Sequence, residues 1–277
     1  MDSGPDIPRA PAHASYELDQ HELDHLTRSL IAAYPLAVPA DTQPYVCYRV
    51  DGGSRFANIG RHIEREVFDE HFGNDSAVMN REYGPYDVPG ASTFFISVDR
   101  AKGAPTGVMR MIQNNAAGFK TLNDLSDPRK SSQTIASEQI FSYYGITDPA
   151  TCWDGATIAV RKIYRGTGKY VGIMRYLTRS SYLYGMENGL HHVFTILDKR
   201  FKDQATKYLG IPYTPLAGLE AMEYLGSQQS YPMYCYYPEF ADRMSGLRML
   251  TPRRLAARRA IQSLKDDSED EFLRVGE

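Results

Sequence analysis

Cysteine, tryptophan, surplus charge and long apolar runs are all scarce in this 277-residue chain. Three cysteines, Cys47, Cys152 and Cys235, lie far apart and give neither a disulfide framework nor a zinc-ligand spacing. A metal site is therefore not expected, and a reducing cytoplasm is the expected setting. No stretch approaches the roughly 18 apolar residues that a membrane span needs, so integral membrane association is not expected. The opening MDSGPDIPRAPAHAS lacks the basic-then-apolar order of a secretory signal. The formal net charge of -3 argues against a dedicated nucleic-acid binder, which would carry a basic excess. What is present, 42% hydrophobic and 23% charged residues, describes a globular chain able to bury a sizeable core. Tyrosine is abundant, 20 residues beside the single Trp153. Such side chains are apolar in body and polar at the tip, which suits a cavity lining or an ordinary core edge equally.

The spacing of apolar residues predicts a helix over 16–34, a strand over 45–50 ending at Asp51-Gly52-Gly53, and an amphipathic helix from Ser54 to Gly73. After a loop NREYGPYDVPG, a hairpin is expected from Thr93–Val98 and Gly107–Ile112. Residues 118–129 read as loop, 133–144 as helix and 156–163 as strand. A glycine turn, RGTGK, then opens a long helix from Lys169 to about Asn188. A strand at 191–197, a short helix at 199–209 and strands at 220–225 and 231–237 complete the pattern. A basic helix and the acidic run DDSEDE follow. Hairpins combined with one strand–helix–strand crossover predict an α+β fold around a mixed sheet rather than a Rossmann fold.

The turn Arg165-Gly166-Thr167-Gly168-Lys169 between strand and helix is the most informative local signal. Unpaired N–H groups at a helix start attract an anion, and glycines let the backbone approach it. The alternative for these residues is a plain tight turn. With the surrounding order of elements, the segment resembles the pyrophosphate turn of the GNAT acyltransferases, Arg/Gln-x-x-Gly-x-Gly/Ala, which Arg165 and Gly168 match. The resemblance implies an α+β fold with a GNAT-like mixed central β-sheet flanked by helices, and extra helical segments at both ends. Residues 1–15 are then a disordered lead, 16–250 a single acyltransferase domain, and 251–277 the basic helix and acidic tail. It also implies that backbone amides of Ile158, Val160 and Arg161, with Arg165, Gly166, Thr167, Gly168 and Lys169, hold the phosphopantetheine thioester of an acyl-coenzyme A or acyl carrier protein.

A second resemblance narrows the branch. Arg65 with Val67-Phe68, Tyr86-Asp87, and Gly107 to Arg110 are similar to motifs in the front half of acyl-homoserine-lactone synthases and related N-acyl amino acid synthases. Gly84 and Thr157 stand where the homoserine-lactone enzymes have Asp and Arg, which leaves the broader N-acyl amino acid synthase class. What this implies is an N-acyltransferase moving a long-chain acyl group to the amine of an amino acid or similar small molecule. Arg65, Phe68, Asp87 and Arg110 are the expected substrate residues, the two arginines forking onto a carboxylate. Asp154 is the candidate base, against the alternative of a turn residue in Trp153-Asp154-Gly155. The basic residues Arg161, Lys162, Arg165 and Lys169 could dock a nucleotide phosphate, an acidic carrier protein, or merely solvent. Cys152 with His192 is a weaker, nucleophilic alternative. An acetyl-coenzyme A transferase of small amines and a non-catalytic acyl-binding member of the fold are the competing readings.

Overall fold

A computed structural model of the chain describes residues 13–35, 44–166, 169–240 and 273–275. In chain order the elements are α1 (Gln20–Ala33), β1 (Tyr45–Asp51), α2 (Ala57–Phe72), α3 (Ser76–Tyr83), β2 (Ser92–Asp99), β3 (Ala104–Gln113), α4 (Lys120–Ser126) and α5 (Ser137–Tyr144). They continue with β4 (Cys152–Val160), α6 (Lys169–Glu187), β5 (His192–Asp198), α7 (Lys199–Gln204), β6 (Thr214–Pro215), β7 (Met222–Tyr224), β8 (Ser227–Tyr236) and β9 (Leu273–Val275). Two compact units share them. The first draws on residues 1–120, 156–181 and 272–277, the second on 121–155 and 182–271. Strand β4 runs out of the second unit into the first.

In the first unit β1, β2 and β3 form an antiparallel meander, with β9 parallel to β1 at one side and the end of β4 next to β3 at the other. Alternation along the strands puts Val46, Tyr48, Val50, Phe94, Ile96, Val98 and Val108 in one core cluster with Leu23 and Leu30 of α1 and Ile59, Ile63 and Val67 of α2. Helix α1 starts on a capping box. Asp19 accepts the Glu22 N–H while Glu22 accepts the Asp19 N–H. Helix α2 stops at Gly73, whose φ of 69° permits the left-handed cap. The segment before α1 is tied to α2: Asn58 donates to His13 O and accepts from Ser15 N, and His62 Nδ1 accepts from Leu18 N at 3.3 Å.

In the second unit β4 and β5 are parallel, β8 is antiparallel to β5, and β6 and β7 both pair with β8. The β4–β5 ladder runs from Cys152↔His192 to Gly155↔Thr195 and stops there, although β4 continues to Val160 and β5 to Asp198.

Several expectations are corrected. Residues 120–126, read as loop, are helix α4. Its cap is not local: the buried carboxylate of Asp154, far along the chain, accepts the Thr121 N–H at 2.6 Å. Trp153-Asp154-Gly155 is strand rather than turn, because β5 supplies ladder partners for it, and β4 therefore starts at Cys152 instead of 156. That strand ends at Val160, where a 3-10 turn takes over Lys162–Tyr164. Asn80–Tyr83, placed in a loop, belong to α3, which Asp75 caps through the Val78 N–H. Helix α5 begins at Ser137 rather than 133, since the Gln133 amide is held by the backbone of Glu220. The helix expected over 199–209 is α-helical only to Gln204 and then widens into a π turn before Gly210. Residues 1–12 of the expected lead 1–15, and residues 241–272 and 276–277 of the domain end and tail, lie outside the described residues.

Two consequences can be measured. A Cβ on Gly107 of β3 would stand 2.8 Å from the carbonyl oxygen of Ala159 in β4, a backbone atom with no freedom to retreat. Gly107→Ala should cost on the order of 1–3 kcal/mol in unfolding free energy; a denaturant midpoint equal to wild type would contradict this packing. Burial, reinforced by Arg65 and Arg161, lowers the His62 pKa to about 4, so the folded ring is neutral and free to accept from Leu18. Its contribution is fully present above the unfolded value of about 6.5 and is lost as pH falls from there towards 4. The stability difference between wild type and His62→Gln should shrink across that window by up to about 3 kcal/mol. A difference independent of pH would show that the ring is not held neutral.

Candidate functional site

The densest chemistry in the first unit is a set of ionised side chains inside the apolar cluster. Glycine starts the construction. A Cβ on Gly60 would stand 2.5 Å from the Phe94 ring, so only glycine lets α2 settle this closely on β2. One helical turn later Glu64 shares that face. Across the β2–β3 ladder, Phe94 is paired with Arg110, and the guanidinium lies over the Phe94 ring at 4.4 Å from its centre. Glu64 and Arg110 therefore meet, with Oε2 to Nη2 at 2.8 Å and both side chains wholly buried. The other Glu64 oxygen accepts from the Thr157 hydroxyl on β4.

Asp87 completes the set. Its Oδ1 accepts from Arg61 Nε at 3.0 Å and lies 3.3 Å from Arg110 Nη2, while its Oδ2 accepts from the Tyr16 hydroxyl at 2.8 Å. Arg110 in turn donates to the Tyr16 oxygen at 2.8 Å. Arg61 spends its remaining donors on Asn58 and on the carbonyl of Gly52. Two guanidinium groups thus balance two carboxylates. Burial pushes the Glu64 carboxyl above its ordinary value even though Arg110 and Thr157 oppose the shift. Burial alone would lower Arg110, but Asp87 and Glu64 outweigh it and raise its pKa. Burial also holds the Tyr16 phenol well above 10, so it remains a proton donor. Arg110 Nε and Nη1, although buried, have no hydrogen-bond partner among the described residues. Next to this set, Lys120 is buried with Nζ 3.2 Å from Glu82 and 4.9 Å from the centre of the Tyr83 ring.

The expected substrate residues divide. Arg110 and Asp87 are at the heart of the network. Arg65 is on α2 with its nearest ion partner Asp69, at 3.9 Å, and its Nε has no hydrogen-bond partner among the described residues. Phe68 packs at the edge of the core and against Phe72. Of the expected donor residues, Val160 is buried and Ile158 half-buried near the end of β4. The Arg161 N–H is taken by Thr106 O at 2.9 Å. Gly166 has φ 74°, a conformation that favours glycine, and α6 starts at Lys169. Thr167 and Gly168 lie outside the described residues. Three of the basic residues are paired within the chain: Arg161 with Glu66, and Lys162 and Arg165 with Glu70, the carboxylates all on α2; the Lys169 side chain lies outside the described residues.

In the second unit Asp154 is wholly buried, with Oδ2 accepting the Thr121 N–H and Oδ1 the Thr121 hydroxyl at 2.8 Å. Cys152 and His192 are ladder partners. Burial nevertheless pushes the Cys152 thiol up to about 12, which leaves it protonated, and His192 Nδ1 is engaged by the Tyr234 hydroxyl at 2.7 Å. An activated thiolate is not what this pair provides.

Sequence reasoning missed Arg61, Glu64 and Tyr16. One signal was available: Glu64 stands on the same stripe as Gly60, Ile63 and Val67, where an ionised residue needs a buried partner. Among the described residues, no group of three or more His, Cys, Asp and Glu side chains could hold a metal ion. None of the described helices is long and apolar enough to cross a membrane.

No family model matches the chain, and no curated protein matches it. Solved structures do. FeeM, an N-acyl amino acid synthase from uncultured soil microbes, aligns with 74% of this chain and 96% of its own at 12% identity and a TM-score of 0.54. BjaI, a coenzyme A-dependent acyl-homoserine lactone synthase, aligns with 79% of this chain and 99% of its own at 15% identity and a TM-score of 0.39. A spermidine N-acetyltransferase from Vibrio cholerae covers 70% and 96% at 12% identity and a TM-score of 0.42. The fold is GNAT-like, a mixed sheet flanked by helices, as the sequence resemblance implied.

Removing one member of the buried pair should be costly, because the other charge stays buried alone. Arg110→Met should lower stability by about 3–5 kcal/mol, and combining it with Glu64→Leu should recover a large part of that loss. Additive losses in the double variant would show that the two side chains are not coupled.

Proposed function

We propose that this GNAT-fold chain is an N-acyltransferase. In this reading it moves an acyl group, a long-chain one, from the phosphopantetheine thioester of coenzyme A or an acyl carrier protein to the amine of an amino acid or similar small molecule. The observation that carries the reading is the alignment of 74% of this chain with nearly all of FeeM, an N-acyl amino acid synthase. Two local assignments go with it. Within the first unit, the β4 amides of Ile158 and Val160 are where we assign the pantetheine arm and the acyl carbonyl, following the sequence resemblance; the Arg161 amide is already taken by Thr106. We assign the arm's phosphate to the start of α6, to Arg165 and Gly166 with Thr167, Gly168 and Lys169 of the sequence motif.

The step needs little from acid–base groups. An α-amino group titrates near 8, so a fraction is neutral at physiological pH and attacks the thioester carbon directly. The C–N bond forms, the C–S bond breaks, the amine's proton passes to water, and the thiolate leaves and is protonated. Asp154, with both oxygens occupied by Thr121, enters this proposal as a positioning residue for the α4 start and not as the base. Arg65 and Arg110 are assigned to the substrate carboxylate, since each keeps N–H donors without a partner among the described residues. Asp87 and Glu64 hold Arg110 in place. Phe68 supplies apolar surface next to Arg65.

The test offers acetyl, octanoyl and palmitoyl thioesters with a panel of amino acids, following thiol release and detecting the amide by mass spectrometry. Rates should rise with chain length and give N-acyl amino acids. Acetyl as the best donor would transfer the chain to the acetyltransferase reading. Tight thioester binding with no thiol release from any amine would make it an acyl-binding protein and overturn the proposal.

A further inference from the structure

Arg165, the side chain assigned above to the donor phosphate, is already answered within the chain. Its Nη1 lies 3.0 Å from Glu70 Oε2 and 2.7 Å from His71 Nε2, and its Nε donates to Val160 O at 2.6 Å. The second Glu70 oxygen lies 3.1 Å from Lys162 Nζ. One carboxylate of α2 is thus shared between two cations of the segment that joins β4 to α6. A second, Glu66, takes Arg161 at 2.9 Å. Three cations face two carboxylates, leaving a single uncompensated positive charge among these five side chains. The Arg165 Nη2 atom has no hydrogen-bond partner among the described residues. Lys162 and Arg165 hold the Glu70 carboxyl below its ordinary range, so it carries its charge throughout the neutral region.

We infer that Glu70 is a specificity-determining residue of the donor site: its carboxylate competes with the donor's phosphate for Arg165 and Lys162, and so favours donors that carry few phosphate charges over donors that carry many. The inference rests on the donor reading above. Its physical basis is a fixed negative charge next to the two cations a phosphate would seek. Each added phosphate charge is repelled by it, so coenzyme A, with three phosphate groups, is penalised more than a pantetheine arm with one. The pairs are near the surface, Lys162 being 74% exposed. Ion pairs of this kind shift equilibria only several-fold, so Glu70 biases the choice of donor without blocking either one.

The experiment uses two non-reactive donors with the same tail, S-octyl-coenzyme A and S-octyl-phosphopantetheine. Their dissociation constants are measured calorimetrically at low and moderate salt on the full chain. Glu70→Gln keeps the size of the side chain and removes its charge. It should tighten coenzyme A binding by about five-fold and phosphopantetheine binding by no more than about two-fold, and the gap should narrow with salt. Glu70→Asp should move the ratio back towards wild type. Lys162→Gln, at an exposed position, should move it the other way, because Glu70 then answers Arg165 alone. An unchanged ratio in both charge-removing variants overturns the inference and leaves the donor reading standing. Failure of both ligands to bind wild type and variants overturns the donor reading, and the inference with it.

Discussion

The first unit is organised around the contact between Glu64 and Arg110. Each ion is wholly buried in a cluster of Val, Ile, Leu and Phe side chains, where an unpaired charge would be prohibitive. The pair therefore dictates much of what surrounds it. Asp87 must reach Arg110 and Arg61 together, the Tyr16 phenol must enter from the segment before α1, and Thr157 must present its hydroxyl from β4. Helix, meander, lead segment and the end of β4 are thereby held to one geometry. An apolar replacement of equal volume would stabilise such a core as well or better. The network's value lies in its specificity, and in keeping a guanidinium charged and partly unspent in a dry place.

Close approach makes this network reachable. Gly60 brings α2 onto Phe94, and Gly107 brings β3 against the backbone of β4. Without the first, Glu64 would stand off from Arg110; without the second, the strand bearing Thr157 would be displaced. The motif Gly107 to Arg110 thus joins two separate requirements, a missing side chain for packing and a long cationic one for the network, three positions apart on opposite faces of one strand.

The same helix also answers the cations that follow β4. Glu64 on its buried face answers Arg110, while Glu66 and Glu70 answer Arg161, Lys162 and Arg165 after β4. Burial separates the two sets. Inside, the loss of one ion leaves its partner charged in a dry place; at the surface the pairs are screened by water and salt and are readily exchanged.

Periodicity and turn chemistry made a good part of this legible beforehand. The amphipathic helix ending at Gly73, the hairpin of β2 and β3, the glycine turn before α6 and the α+β order of elements all follow from local patterns, because main-chain hydrogen bonding and side-chain alternation act over a few residues. What depends on distant partners was not legible. Asp154 reads equally as base or turn residue until Thr121 is found against it; α4 has no local cap to announce it; Arg65 and Arg61 are the same residue type one turn apart, and only the packing of α2 decides which of them meets Asp87. Sequence determined the elements and the chemistry available, since those are properties of short stretches. Tertiary structure decided which charges are buried together and which pair at the surface, since desolvation and pairing exist only once the chain has closed on itself.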